Sequence, residues 1–574
     1  MYTKYYNMRS RKRTILFIYC FLISLIFFRY FYLQLIKHEK FLSEAGNNSL
    51  RKLLLVAPRG LIFDRKENFL VDNQLIYDIN IIPKDFEQET FNYTLIEKEL
   101  GISKTTIDSI VLPMQKNRVK QFLPLLIKRH VDLDVKAILE EHKLTLKGLY
   151  FSKLPARKYS SESNLTHVLG FLKQENQEII GRNGLEKYYQ NKLKGENGVE
   201  YHLVDIHGID QGKYYIDKNY NPLQGDSLIL SIDNNLQHYC ENITEGYKGA
   251  IIVMNPKNGE VYSMNSFPDY NLDSFIGPIP QKEWDDLNKN KDNVFSNRAI
   301  QNTYPPGSIF KLLLSSIALE HKIINKNWSV SCNGAYDFFD TRFHCWKEGG
   351  HGEVNMQEAI QQSCNVYFYN LMQKVDFNLW YEESVKFGFN QLTHIDLPHE
   401  KIGLIPNKKY MNQTYKNRGG WSTGHLLNLS IGQGEILVTP IQIINLINII
   451  SNEGYSYQPH LNINAPKIKS NRFYNSNVFK HMKKGMYDAV YKFGGTAYNA
   501  KPDNSQAIAY GKTGTVQLCS NCEIEPHGWF GGILEMKNGK TYTVCILIEN
   551  GGKGSGLPSV LAKKIFNFIV NNNV

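Results

Sequence analysis

The feature that most restricts how this chain can fold is a sharp break followed by an apolar run, near the centre of the sequence. It reads Tyr304-Pro305-Pro306-Gly307-Ser308-Ile309-Phe310-Lys311. Two prolines and a glycine end the preceding segment, and the apolar residues from 312 to 319 predict that a helix begins here. On that helix Ser308 and Lys311 lie one turn apart on the same face, so the amine reaches the hydroxyl. Unpaired backbone N–H groups at a helix N-terminus also stabilise a developing negative oxygen. Ser308 is therefore a candidate acyl-transfer nucleophile, with Lys311 as its base.

The Ser-x-x-Lys pattern alone does not identify a nucleophile. Ser49-Leu50-Arg51-Lys52 fits it equally well and has no turn before it. An isolated Ser308 would be interpreted as a helix N-cap, and Lys311 as a solvated surface charge. The assignment therefore depends on partner residues elsewhere in the chain.

Two further motifs supply such partners. Ser363-Cys364-Asn365 follows a predicted helix, and Lys512-Thr513-Gly514-Thr515 lies on a strand-like run over residues 507–516. Separately they fit a polar helix end and a basic edge strand. The order Ser-x-x-Lys, Ser-x-Asn, Lys-Thr-Gly, on elements of the right type, is the combined pattern of penicillin-recognising serine enzymes. Chance rarely produces that combination, so we favour the catalytic interpretation.

Length and composition predict two or three folded domains. The chain has 574 residues, of which 42% are apolar and 21% charged, so it can bury hydrophobic cores. Its net charge is +11, with Lys and Arg spread along the chain outside the N-terminus. We interpret this charge as a solvated surface suited to an anionic membrane or cell-wall polymer, and we predict no nucleic-acid binding. Eight cysteines are too few for a disulfide scaffold.

The N-terminus predicts a membrane anchor. Residues 1–13 contain five basic residues and no acidic one. The apolar run of residues 15–28 continues past Arg29, which can snorkel, to Ile36. Ser43-Glu44-Ala45 is a poor cleavage site. We expect a cytoplasmic tail at 1–13, an uncleaved span at 14–36 in the cytoplasmic (inner) membrane, and a periplasmic or otherwise extracytoplasmic remainder.

Residues 37–225 contain no nucleophile, metal cluster or phosphate loop, so we predict a structural or docking domain, a pedestal. Its Lys-rich middle, residues 94–145, has apolar residues at helical spacing. In residues 226–574, Asn258-Gly259 and Asn538-Gly539 each join two strand-like runs and predict hairpins at both ends of a helical stretch. The predicted fold is α+β, an antiparallel sheet with helices on both faces.

With these motifs in place, the chain resembles class B penicillin-binding proteins, the monofunctional peptidoglycan D,D-transpeptidases, over nearly its whole length. Beyond the anchor and the three motifs, the resemblance is carried by Arg59-Gly60-Leu61-Ile62-Phe63-Asp64-Arg65, Gly184-Leu185-Glu186, Ser430-Ile431-Gly432-Gln433-Gly434 and Thr439-Pro440. The break before Ser308 and Gly350-His351-Gly352 are similar to the elongation type of this family. Division-type relatives usually differ at both places.

The resemblance implies a role for each motif residue. Ser308 would attack the carbonyl between two D-alanines of a stem peptide, and Lys311 would take its proton. Ser363 would pass a proton to the leaving amine, and Asn365 would hold Lys311 and the substrate amide. Lys512 would supply positive charge and lower the pKa of Lys311.

The same resemblance implies the substrate contacts and partners. Thr513, Gly514 and Thr515 would bind the substrate carboxylate and backbone, and the N–H groups of Ser308 and Thr515 would form the oxyanion hole. The ligands would be stem peptides ending in D-Ala-D-Ala and β-lactam antibiotics. The partners would be a polytopic glycosyltransferase and a rod-shape scaffold protein, with residues 94–145 as the docking surface. The alternatives are a division-type transpeptidase, a D,D-carboxypeptidase and a β-lactam sensor.

Four potential metal ligands fall within 33 residues, namely Cys332, Cys345, His351 and Cys364. Three thiolates and an imidazole complete a tetrahedral zinc shell, so we predict a structural zinc ion. Some elongation-type relatives use Asp, Asp, His and Cys here, and two cysteines in place of the acids would favour zinc further. The alternatives are buried thiols, or one disulfide with a leftover thiol. Cys519 and Cys522 predict a local disulfide or two free thiols.

Overall fold

The fold of the chain is given by a computed structural model. It describes residues 2–38, 50–117, 120–175, 178–204, 210–215, 219–277, 279–471, 473–517 and 524–574. Ser49, the cleavage-site residues 43–45, and the pair Cys519 and Cys522 lie outside the described residues.

Nineteen strands and eighteen helices are named here in chain order. The strands are β1 Leu50–Leu55, β2 Ile62–Phe63, β3 Phe69–Ile81, β4 Leu125–Val131, β5 Leu149–Tyr159, β6 Leu172–Glu175, β7 Glu178–Gly181, β8 Gly198–Val204, β9 Asp210–Lys213, β10 Leu228–Ile229, β11 Gly249–Met254, β12 Val261–Phe267, β13 Ser329–Cys332, β14 Ala335–Phe338, β15 Thr341–His344, β16 Gly352–Asn355, β17 Ala507–Val516, β18 His527–Met536 and β19 Thr541–Ile548. The helices are α1 Tyr2–Phe31, α2 Tyr93–Leu100, α3 Lys104–Gln115, α4 Leu133–Glu141, α5 Thr166–Leu169, α6 Gly184–Tyr188, α7 Gln190–Leu193, α8 Asn234–Asn242, α9 Gln281–Asn288, α10 Lys311–Glu320, α11 Met356–Gln361, α12 Asn365–Met372, α13 Phe377–Lys386, α14 Lys408–Thr414, α15 Thr423–Ser430, α16 Pro440–Ser451, α17 Ser476–Tyr491 and α18 Leu557–Asn572.

The chain forms two compact units that interleave along the sequence. The smaller comprises Met1–Pro58, Leu75–Pro155 and Gly195–Gln224, and the larger comprises Arg59–Gln74, Ala156–Lys194 and Gly225–Val574. Two segments of the predicted pedestal therefore fold with the larger unit. The division of the chain at residue 225 stays a prediction about domain organisation.

The apolar N-terminus is one long helix. A π-helical segment, Tyr32–Ile36, continues α1, and Arg11–Ile36 has a mean hydropathy of 2.1 and is not buried against the rest of the chain. At 1.5 Å per residue its 26 residues extend about 39 Å, which exceeds the ~30 Å of a bilayer core. Within the described part of the chain this is the one helix long and apolar enough to cross a membrane. The predicted single-span anchor agrees with it.

The smaller unit has its own core. α2, α3 and α4 contribute Ile96, Ile107, Val111 and Leu139, and these residues pack with Ile79 of β3. Asn92 and Ser103 cap α2 and α3 with their side chains, as these residue types favour at helix N-termini. The helical interpretation of residues 94–145 is correct for these helices and wrong for β4, where Leu125–Val131 pairs with β3.

A five-stranded antiparallel sheet, in the order β12-β11-β19-β18-β17, organises the larger unit. The two Asn-Gly hairpins are confirmed, because β11 and β12 flank Gly259 and β18 and β19 flank Gly539, both with positive φ. Side chains alternate between the faces. Val544 and Ile546 of β19 join one core, and Cys545 and Leu547 join the other.

Helices cover both faces of this sheet, which confirms the predicted α+β fold. α8 and α18 bury Leu236, Leu561 and Ile565 in the core on one side. On the other side α16 is buried along most of its length. It begins with a capping box of Thr439 and Gln442 and with Pro440 at its first position, a strong helix start signal.

A buried ion network joins two segments of the larger unit that are far apart in sequence. Arg59 Nε and Arg157 Nε donate to the two carboxylate oxygens of Glu186 at 2.9 and 2.7 Å. Burial alone would raise the pKa of Glu186, but Arg157 and Arg59 outweigh it and lower that pKa. This network accounts structurally for the Arg59-Gly60 and Gly184-Leu185-Glu186 motifs.

Candidate active site

Ser308 lies in a tight turn that leads directly into a helix. Gly307–Phe310 forms a 3-10 turn, and α10 begins at Lys311. Gly307 has a φ of +56°, a conformation that favours glycine, and its N–H donates to the carbonyl of Gly432 at 2.9 Å. A Cβ on Gly432 would lie 2.1 Å from the carbonyl oxygen of Gly307. The turn therefore needs glycine at both positions, which explains the Ser430–Gly434 motif.

Lys311 is fully buried and points at the second motif. Its Nζ lies 2.7 Å from Asn365 Oδ1, 2.9 Å from the carbonyl oxygen of Ser363 and 3.4 Å from Ser363 Oγ. The ring of Phe368 lies below the same ammonium, 5.2 Å from its centroid. The structure thus brings Lys311, Ser363 and Asn365 together.

Lys512 reaches the same hydroxyl from the sheet. Its fully buried Nζ donates to Ser363 Oγ at 2.9 Å and to the carbonyl oxygen of Thr513 at 3.1 Å. Ser363 therefore stands between two lysines. It also has a φ of +56°, which is uncommon for a residue other than glycine and marks a constrained position.

Burial changes the acidity of both lysines. It lowers the pKa of Lys311 to about 8, although the Cys364 and Cys345 thiols act in the opposite direction. Burial, and then the charge of Lys311, lower the pKa of Lys512 well below its ordinary value. A lysine with a pKa near 8 is neutral often enough to act as a base.

β17 packs closely against the Ser308 turn. A Cβ on Gly514 would lie 3.0 Å from the carbonyl oxygen of Pro306, so only glycine lets the two backbones approach this closely. Trp529 Nε1, from the neighbouring strand, donates to the carbonyl of Pro305 at 3.0 Å. Thr513 is buried, and Thr515 Oγ1 accepts from the N–H of Gly554 at 3.1 Å.

Ser308 itself is half-buried, and its Oγ makes no hydrogen bond within the part of the chain that the structure describes. Its hydroxyl is thus available to a substrate. Lys311, Ser363, Asn365 and Lys512 from the three motifs meet at one place. Ser308 lies three residues before Lys311, and within the described residues the predicted bond between its Oγ and Lys311 Nζ is not formed.

The four predicted metal ligands also converge. The ligand atoms of Cys332, Cys345, His351 and Cys364 all lie within 4.8 Å of one another, and the three cysteines are buried free thiols. The cluster adjoins the Ser363-Cys364-Asn365 motif, because the N–H of Asn365 donates to Cys345 Sγ at 3.4 Å. A hydrogen bond from the Cys364 thiol, with others from His351 and from backbone N–H groups, lowers the pKa of Cys345.

The cluster geometry fits a tetrahedral ion. His351 Nδ1 lies 3.5 Å from both Cys332 Sγ and Cys345 Sγ. A zinc ion with bonds of about 2.3 Å to sulfur and about 2.0–2.1 Å to nitrogen holds such atoms ~3.5 Å apart. The backbone beside His351 requires glycine at position 350, because φ there is +74° and a Cβ would lie 2.1 Å from the carbonyl oxygen of Cys332. His344, next to Cys345 in the sequence, lies outside the cluster.

Two tryptophans that hold the backbone near Ser308 and Ser363 were not predicted from the sequence. Trp529 holds the Ser308 turn, as described above. Trp346 Nε1 donates to the carbonyl of Gln362 at 2.9 Å, directly before Ser363. The only sequence signal for Trp346 was its position next to Cys345, since nothing in its spacing points to Gln362.

Comparison with known proteins decides the family. The penicillin binding protein transpeptidase domain model matches residues 249–571, more than half of the chain. The chain belongs to the penicillin-binding protein transpeptidase family. The penicillin-binding protein dimerisation domain model matches residues 54–230 of this chain.

Curated relatives in this family agree with the class B, elongation-type resemblance. The chain is 26% identical to the peptidoglycan D,D-transpeptidase MrdA of Haemophilus influenzae, over 99% of this chain and 93% of that protein. It is 28% identical to MrdA of Acinetobacter baumannii, over 94% of this chain and 84% of that protein.

Solved structures agree as well. A Helicobacter pylori complex between penicillin-binding protein PBP2 and MreC superimposes with a TM-score of 0.80 at 27% identity, covering 91% of this chain and 99% of that one. A component of a peptidoglycan synthase complex shares the fold, with a TM-score of 0.71 at 24% identity and 97% coverage of both chains.

Proposed function

We propose that this chain is a peptidoglycan D,D-transpeptidase of the elongation type, which cross-links stem peptides through a serine acyl-enzyme. The observation that carries the proposal is the Ser363 hydroxyl held between two buried lysines, Lys311 and Lys512. The family and the MrdA relatives support the same reaction.

Acylation begins at Ser308. Its Oγ attacks the carbonyl carbon between the two D-alanines, and the neutral amine of Lys311 takes the hydroxyl proton. The oxygen that becomes negative accepts hydrogen bonds from the N–H groups of Ser308 and Thr515. In comparable enzymes each such donor lowers the barrier by about 3 kcal/mol.

The tetrahedral intermediate then breaks its bond to nitrogen. The proton held by Lys311 passes through Ser363 Oγ to the leaving amine, and the terminal D-alanine departs. Asn365 accepts a hydrogen bond from Lys311 and so keeps its Nζ beside Ser363. An amine of a second strand then attacks the acyl-enzyme and loses its proton along the same path. The ester bond to Ser308 breaks, Ser308 Oγ takes that proton back from Lys311, and the new amide is the cross-link.

The sheet side of the site binds the donor. Thr513 and Thr515 would donate to the terminal carboxylate, and Lys512 would attract its negative charge. Gly514 allows β17 to lie directly against the Ser308 turn, so the peptide meets the strand without an intervening side chain.

A fluorescent penicillin tests the assignment, because it acylates the nucleophile as a substrate does. We expect the purified full-length chain to be labelled at Ser308 and Ser308→Ala to lose all labelling, while Ser49→Ala keeps it. Labelling that persists in Ser308→Ala, or that maps to Ser49, would contradict the proposal.

We also propose that the Cys332, Cys345, His351 and Cys364 cluster holds a zinc ion. A closed Cys3His shell leaves no open position, so the ion would contribute folding energy and no reaction chemistry. Elemental analysis of chelator-free protein should find about one zinc per chain. Protein without metal that contains a Cys332–Cys345 disulfide would contradict this.

We propose, finally, that the enzyme is a single-pass protein of the cytoplasmic membrane, with residues 1–13 in the cytoplasm and the rest outside. Its partners would be a rod-shape scaffold protein and a polytopic glycosyltransferase. The scaffold partner is supported by the complex of the H. pylori relative with MreC, and the glycosyltransferase by the family resemblance.

Residues 94–145 would form the docking surface. Leu133 and Leu144 are 63% and 89% exposed there, so changing both to Glu should leave the fold intact. We expect that double variant to accept penicillin normally and to fail in supporting cell elongation, whereas Tyr215→Glu, at an exposed side chain outside this range, supports it. Normal growth of the double variant would contradict the docking surface.

A further inference from the structure

The second half of the reaction restricts where the second substrate binds. The leaving amine receives its proton through Ser363, so by microscopic reversibility the incoming amine loses its proton to Ser363. The acceptor must therefore approach the acyl-enzyme on the Ser363 side, and the surface beside Ser363 must contact the rest of the acceptor.

Two exposed aromatic residues lie next to the segment that leads into Ser363. Trp346, 55% exposed, donates its indole N–H to the carbonyl of Gln362 at 2.9 Å. Phe493 is fully exposed, and its carbonyl accepts from Gln361 Nε2 at 3.0 Å. Both are thus hydrogen-bonded to the two residues that immediately precede Ser363.

Specific contacts hold the Trp346 ring and the backbone of the loop that carries Phe493. The Trp346 ring packs edge-on against the His351 ring at 5.4 Å. The loop of Phe493 is tied back by the N–H of Thr496, which donates to the carbonyl of Gln361 at 3.2 Å. Aromatic side chains on a fixed backbone lose little conformational entropy when they bind a ligand.

We propose that Trp346 and Phe493 form the acceptor side of the active site, where an amine-bearing stem peptide of a second strand binds. The inference rests on the proposed transpeptidase function and assigns the site of its second substrate. The free acceptor amine is an ammonium ion at neutral pH, which Lys311 and Lys512 repel. The aromatic rings offset this repulsion by packing against the part of the peptide that carries the amine, and so hold the acceptor beside Ser363 until the amine loses its proton.

The test separates acyl transfer from acylation. The purified full-length chain receives a thioester analogue of the D-alanyl-D-alanine donor, together with either a stem peptide carrying a free side-chain amine or free D-alanine. The ratio of transfer product to hydrolysis product is measured for each acceptor. We expect Phe493→Ala to lower this ratio about fivefold for the stem peptide, the loss of one aromatic packing contact with the peptide, and less than twofold for D-alanine, which has the amine but lacks the rest of the peptide.

Matched variants sharpen the comparison. Phe493→Tyr keeps a ring and should restore the ratio, and Trp346→Phe should keep it as well, whereas Trp346→Ala should lower it. Ile468 lies elsewhere on the larger unit and is 54% exposed, close to the 55% of Trp346. Ile468→Ala should leave the ratio of transfer to hydrolysis unchanged for both acceptors.

Several results would overturn the proposal. These are an unchanged ratio in Phe493→Ala, an equal loss with both acceptors, or a wild-type enzyme that transfers to the stem peptide no better than to D-alanine. Competition by a peptide-free glycan oligosaccharide would assign the surface to sugar instead. Wild-type protein that penicillin does not acylate would contradict the proposed function, whereas normal acylation with an unchanged ratio contradicts the acceptor site alone.

Discussion

Lys512 and Ser363 face each other at 2.9 Å, yet the segments that carry them are held in different ways. Lys512 lies on β17, which pairs residue by residue with β18 from Ala507 to Val516. Ser363 lies between two short helices in a left-handed conformation. Individual side chains around it, Trp346 and the Cys/His cluster, make the supporting contacts. A backbone ladder tolerates single side-chain changes, because its hydrogen bonds come from the main chain. The Ser363 side of the site should therefore lose more activity than the sheet side when a single side chain is changed.

The largest effect is expected when the base itself is changed. Lys311→Arg keeps the charge but cannot lose a proton, so penicillin acylation should slow by a factor of about 10³ or more. Lys512→Arg keeps the cation on the sheet side, and we expect a loss of about tenfold. Time courses of labelling with fluorescent penicillin measure both. Equal losses in the two variants would contradict the assignment of Lys311 as the base.

The pH dependence of acylation follows from the same lysine. Burial lowers the pKa of Lys311 to about 8, and the neutral amine is the reactive form. The acylation rate constant should therefore rise about tenfold per pH unit below pH 8 and level off above it. The Lys311→Arg variant should lack this rise. A wild-type rate that is constant from pH 6 to 9 would count against a titrating Lys311.

The two sides of the site should also differ in their response to metal removal. Cys345→Ser disrupts the cluster, so the melting temperature should fall by about 5–10 °C, the shift that loss of a few kcal/mol gives in a unit of this size. A zinc chelator should lower the melting temperature of the wild type and have no further effect on this variant.

Cys545→Ser is the matched control for that experiment, because Cys545 is an equally buried free thiol on β19 of the sheet. It should lower stability by its own packing defect and leave the chelator response unchanged. A chelator that does not alter the melting of wild-type protein would contradict the zinc site.

The elements on the sheet side of the site could be predicted from the sequence more completely than those on the Ser363 side. The Asn-Gly turns and the Lys-Thr-Gly strand follow local rules, and β11, β12, β17, β18 and β19 are where those rules put them. Motif order brought Ser308, Ser363 and Lys512 together in the prediction, although the pattern carries no distances. The cluster was found because its ligands have a recognisable chemistry.

What escaped prediction depends on contacts between residues that are far apart in sequence. The pairing of Arg59 with Glu186 spans 127 residues, and no local pattern indicates that residues 59–74 and 156–194 fold with the larger unit. The strand β4 was missed because Leu125, Leu126 and Ile127 fit an apolar helix as well as a strand. The positive φ of Ser363 was also missed, since local propensity assigns that conformation to glycine.

The smallest expected effect tests the single hydrogen bond beside Ser363. Trp346→Phe keeps an aromatic ring against His351 and removes the indole N–H that holds the carbonyl of Gln362. Because that bond supports the backbone directly before a strained residue, penicillin acylation should slow about threefold to tenfold, the range for one lost hydrogen bond. The melting temperature and the zinc content should stay close to those of the wild type, since no cluster ligand changes. Trp529→Phe removes the equivalent indole bond on the sheet side, where the β17–β18 ladder remains, and it should slow acylation less. A larger loss in Trp529→Phe than in Trp346→Phe would reverse the comparison between the two sides.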